Sequence, residues 1–105
     1  MNRTELQYLY DHLLELNGTA FAGGEYDVAY HIMMAALHCG EALADAPAVE
    51  RIERLAIEQL ESIDANAPQY EHSTASAARR GNVSIYRMAA TQARGRRVIL
   101  RGPER

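Results

Sequence analysis

Apolar residues recur along the first two thirds of the chain at alternating spacings of three and four, which keeps side chains on one face of an α-helix. Leu6, Leu9, Leu13, Leu16 and Ala20 form the first such stripe, widened by Tyr10, Leu14 and Phe21. Thr4-Glu5-Leu6-Gln7 fits a capping box, and Gly23-Gly24 supplies the left-handed residue that closes a helix. The pattern predicts a helix over 4–22, weakened at Gly18 by about 1 kcal/mol relative to alanine.

The next stretch, GEYDVAYHIMMAALHCGEALAD from Gly24 to Asp45, is apolar on nearly every side. One stripe holds Tyr26, Ala29, Tyr30, Met33, Ala36, Leu37, Gly40 and Leu43; a neighbouring one holds Val28, Ile32, Ala35, Cys39 and Ala42. A helix apolar on more than one face is covered by more than one partner. The predicted helix over 25–44 is therefore central, and Ala29, Ala35, Ala36 and Gly40 are small enough to let neighbours approach.

A third helix over 46–65 follows from Asp45 as N-cap, Pro47 in the first turn and the single apolar face Val49, Ile52, Leu55, Ala56, Leu60 and Ile63. Ala67 precedes Pro68, which pushes it out of the helical region. Residues 67–82 lack periodicity and read as linker. For 83–94 the spacing of Val83, Tyr86, Ala90 and Ala93 favours a helix capped by Asn82; a strand is the alternative, given Val83, Ile85 and Val98-Ile99-Leu100. The last residues, from Gly102, are expected to fray. The resulting fold class is all-α: a three-helix bundle built on a helical hairpin, with a short fourth helix in the basic C-terminal segment. The expected organisation is a helical domain over 1–66, a linker over 67–82 and an Arg-rich segment over 83–105.

Around the first junction the chain resembles one tetratricopeptide repeat, whose helix–turn–helix unit carries W-x2-L-G-x2-Y and then A-x3-F. Leu13, Leu16, Asn17 and Ala20 stand at the first four of those positions, followed by Ala29, Met33 and Ala36. Gly24-Glu25-Tyr26-Asp27 matches the turn. The Trp and Tyr knobs are missing, Glu41 stands where the closing proline belongs, and Arg51 and Arg54 would fall on core positions of a second repeat. The resemblance implies a single helical hairpin with protein-binding relatives, and assigns no residue a role.

Charge changes the picture more than composition does. Residues 1–72 hold thirteen acids and three arginines, a net −10; residues 73–105 hold eight arginines and one acid, a net +7. All eleven basic residues are Arg, a usage we attribute to the base composition of a bacterial-type genome. The sole cysteine, Cys39, allows no internal disulfide, so a cytoplasmic, reducing setting is expected. No run reaches the roughly 20 apolar residues a membrane span requires, and no membrane association is expected.

Chemistry-bearing patterns are sparse. His31 and His38 share a face of the second helix, but they are seven residues apart, wider than the i,i+3 or i,i+4 pairing common at zinc sites. Asp11 with Glu15 and the glutamates of the third helix read as solvated faces, and Cys39 as a core residue. No phosphate loop, nucleophile elbow or CxxC occurs. The expected function is therefore a non-catalytic protein–protein interaction module, self-associating and without cofactor or metal. It would bind a partner or a second copy in the groove lined by Tyr26, Tyr30, Met33 and Leu37. The alternative is a nucleic-acid-binding accessory protein using Arg79, Arg80, Arg87, Arg94, Arg96, Arg97 and Arg101, unless those arginines dock on the acidic helices instead. A second alternative places a metal or small ligand near His31 and His38.

Overall fold

A computed structural model describes residues 1–102. Five helices follow one another: α1 Arg3–Ala22, α2 Tyr26–Ala42, α3 Ala46–Asn66, α4 Thr74–Arg79 and α5 Ile85–Arg101. The described residues contain no strand, so 83–94 is helical, and the helix runs on to Arg101. The expected linker is shaped too, since α4 lies within it. The expected fraying concerns Pro103–Arg105, which lie outside the described residues, and Gly102, which closes α5 at a φ of 72°.

Caps set most boundaries. At α1 the capping box is one step earlier than expected: Asn2 accepts from the Glu5 amide and Glu5 from the Asn2 amide, both at 2.8 Å. Asn is at least as good an N-cap as Thr, so the earlier site wins. Asp45 caps α3 as expected, accepting from the Ala48 amide. Ser73 and Ser84 cap α4 and α5, the latter displacing Asn82 as the expected cap.

The described residues form a flattened body, 41 × 34 × 17 Å. The hairpin of α1 and α2 and the pair of α3 and α5 are each packed along their lengths, and α2 joins them by lying on α3. Gly40 allows that contact: a Cβ there would meet the Val49 side chain at 3.2 Å. One core runs through all four long helices, from Tyr10 and Met33 through Val49, Ile52 and Ile63 to Tyr86 and Ala93. The Arg-rich segment is therefore part of the same core as residues 1–66, where the sequence suggested a separate piece.

Two polar contacts hold α1 to α3 inside this core. The Tyr10 hydroxyl donates to the Ala48 carbonyl at 2.7 Å. Asn17 donates to the Ala29 carbonyl at 2.8 Å and accepts from the Gln59 amide at 2.7 Å. Asn17, next to the expected weak point at Gly18, is thus the buried tie between three helices, since its amide satisfies the Gln59 side chain, which would otherwise be stranded away from water.

Candidate functional site

The four residues expected to line an open groove divide between surface and core. Met33 and Leu37 are fully buried, and Tyr26 and Tyr30 are half-buried. The groove is filled by the chain itself. The Tyr86 ring of α5 lies edge-on to Tyr30 with centroids 5.8 Å apart, and its hydroxyl donates to the Tyr26 carbonyl at 2.7 Å. Burial, with Asp27 nearby, pushes the Tyr86 phenol well above its ordinary range, so it remains a neutral donor. The groove is thus no open site among the described residues: Tyr86 of α5 covers its Tyr26–Tyr30 end, and Met33 and Leu37 are buried in the core shared with α1 and α3.

Charge docks α5 in that position. Arg97 pairs with Glu53 of α3 at 3.0 Å, Arg101 with Glu50 of α3 at 2.5 Å and Arg96 with Glu41 of α2 at 3.4 Å. Arg80 pairs with Glu71 at 3.3 Å, and Arg79 donates to the Ser76 hydroxyl. Arg87 and Arg94 have no acidic partner among the described residues. Four of the seven arginines singled out in the sequence are thus already matched to carboxylates.

The histidine pair is brought onto one face but not into a site. His31 and His38 are both exposed on the outward side of α2 with Val28, Ala35 and Ala42. A helix rises 1.5 Å per residue, which separates them by about 10 Å, too far to share one ion. The second apolar stripe of α2 is therefore largely solvent-facing rather than covered; only Cys39 on it is buried. Burial raises the Cys39 thiol pKa, which disfavours the reactive thiolate.

Asp27, Glu71 and His72 offer ligand atoms within 4.8 Å of one another, a grouping the sequence reading missed because the loop after α3 had no visible structure. Two carboxylates and an imidazole are donors a divalent ion accepts. Their contacts in the chain are different. Tyr70 donates to Asp27 and Arg80 pairs with Glu71, while the Tyr70 ring lies tilted against Tyr26 and edge-on to His72. Both carboxylates already have partners, and Arg80 opposes a cation. The cluster reads as a latch that ties the 67–73 loop to the start of α2. Pro68 anchors the other side, its carbonyl accepting from Ser73 and Ser76.

The outward faces of α1 and α5 have the character that the groove lacks. On α5, Met88, Val98 and Ile99 are 57%, 53% and 70% exposed, with the uncharged Thr91, Gln92 and Gly95 between them and the exposed Arg87, Arg94 and Arg96 along the edges. Gly95 needs neither a positive φ nor a close neighbour: a Cβ there would meet nothing within 4 Å. A mid-helix glycine costs about 1 kcal/mol relative to alanine, and no contact among the described residues offsets it at Gly95. It forms part of a shallow hollow of about 220 Å³ with Thr91, Gln92, Arg96 and Ile99. On α1, Tyr8 is 70% exposed and stacks on His12, with Asp11 and Glu15 on the same side. The heptad-like spacing of Met88, Gly95 and Ile99 was legible in the sequence, but nothing there told the outer stripe of α5 from the inner one.

No protein family, curated protein or solved structure matches this chain significantly.

Proposed function

We propose that the chain is a non-catalytic protein–protein interaction module that associates with itself. The observation that carries this reading is the outer face of α5. Its inner face is already packed into the core, yet the opposite side holds three large apolar side chains in water. Several large apolar side chains exposed on one face of a helix whose other face is already packed point to an interface. The partial likeness of residues 13–37 to a tetratricopeptide hairpin supports a binding role of the same kind. The interface belongs on the outer surface, because the groove of Tyr26, Tyr30, Met33 and Leu37 is filled from within.

Nucleic-acid binding is less well supported. Ion pairs already engage Arg80, Arg96, Arg97 and Arg101, and an arginine held by a carboxylate offers little to a phosphate. Light scattering after size exclusion, from micromolar to hundreds of micromolar chain, tests the proposal. The expected mass exceeds the 11.7 kDa of one chain and falls on dilution. A single-chain mass throughout that range would overturn it.

A further inference from the structure

We propose that self-association is head-to-tail: the outer face of α5 on one copy takes the outer face of α1 on a second copy, with Tyr8 seated over Gly95. This rests on the self-association reading above and adds its geometry.

Charge complementarity selects the partner face. Every charged residue of α5 is an arginine, and two of them, Arg87 and Arg94, find no carboxylate among the described residues. An α5–α5 contact across a two-fold axis would bring these like charges together, which opposes association. The outer side of α1 has the opposite sign. Asp11 and Glu15 are exposed there and, among the described residues, pair with no arginine; Glu15 lies near His12, at 3.7 Å, and Asp11 accepts from Gln7. Arg51 of α3 borders the groove next to these acids without an ion pair to either, so it offsets part of their charge. Shape agrees with charge. Tyr8 is the most exposed aromatic side chain of the chain, and the hollow at Gly95 is the place on α5 where a ring can approach the helix backbone. Tyrosine is a favoured interface anchor because it buries a large apolar ring while its hydroxyl stays hydrated at the rim.

Within one molecule α1 flanks the hairpin side and α5 the α3 side, and both of these faces point away from the shared core. Neither can satisfy the other in the same chain. A contact between unlike faces is heterologous, so copies add in rings or open rows rather than stopping at a symmetric dimer.

Two charge reversals test this: Asp11→Arg with Glu15→Arg on α1, and Arg87→Glu with Arg94→Glu on α5. All four positions are exposed, and circular dichroism melting checks that both chains fold. Each variant alone should associate at least about tenfold more weakly than the natural chain. Mixed one to one, they should recover the natural mass distribution, because each reversed face then meets its complement. Gly95→Leu, which fills the hollow with a good helix former, should weaken association while leaving the melting temperature unchanged or higher. If the α1 reversal associates normally while the α5 reversal does not, the contact is α5 with α5 and the proposal falls. If both associate normally, the interface lies elsewhere, though self-association survives. A natural chain that is monomeric throughout overturns both readings.

Discussion

The two helix pairs are joined by different means. In the α1–α2 hairpin, three residues connect the helices, and the buried tie is the amide of Asn17, reaching both α2 and α3. The α3–α5 pair is separated by a loop and α4, and its edges are closed by two ion pairs, Arg97–Glu53 and Arg101–Glu50. A short turn keeps the first pair's chain-closure cost low, so neutral contacts suffice. The second pair must close a longer loop, whose entropy cost grows slowly with length. Packing of Tyr86, the latch around Tyr70 and the rim charges together hold it.

The largest effect expected comes from Tyr86→Ala, which removes the ring covering the end of the groove beside α2 and the additional hydrogen bond to the Tyr26 carbonyl. A loss of about 3–5 kcal/mol is expected in urea unfolding, and α5 should lose amide-exchange protection before the hairpin does. Equal loss of protection in both pairs would show that they unfold as one cooperative unit.

Asn17→Leu attacks the other pair. It leaves the Gln59 amide buried without a partner, at a cost of about 1–3 kcal/mol. Adding Gln59→Leu should recover part of that loss, since replacing both members of a buried polar pair is far less costly than replacing one. No recovery in the double variant would mean that the bond to the Ala29 carbonyl carries the effect.

Arg97→Met separates charge from packing in the α3–α5 pair. Arg97 and Glu53 are 20% and 16% exposed, so more than a surface pair is at stake, and about 1–2 kcal/mol should be lost. The difference from the natural chain should shrink in 0.5 M salt if the residual exposure lets ions screen the pair. The Asn17 effect should not respond to salt.

Much of the hairpin was legible because its signals are local. The stripe from Leu6 to Ala20, the Gly23-Gly24 turn and the Asp45 cap each depend on residues within a turn or two of each other. The C-terminal half depends on distant partners. Ser84 and Tyr86 look unremarkable until the Tyr26 carbonyl is placed beside them, and α4 is held by the Asp64 carboxylate, which accepts from the Thr74 amide and hydroxyl at 2.8 and 2.7 Å. A short helix fixed by a residue ten positions away leaves no periodicity to read. The buried Asn17–Gln59 pair did leave a sign: both lie on otherwise apolar stripes, where a polar residue asks for a partner. The charge split between halves also pointed the right way, since the arginines of α5 do meet the acids of α2 and α3. It could not tell which two would be left over.

Since α5 fills the groove beside α2 from within, residues 84–101 act as a tethered ligand. Even a flexible tether of this length would hold its cargo at an effective concentration of the order of millimolar, and here α4 and the Tyr70 latch shape the connection besides. An outside helix offered to Tyr26 and Tyr30 must outcompete that, so only a partner binding the bare groove much more tightly than α5 does could enter it. The chain thereby covers the apolar side of α2 from within, and the outer faces of α1 and α5 are what the proposed association has to work with.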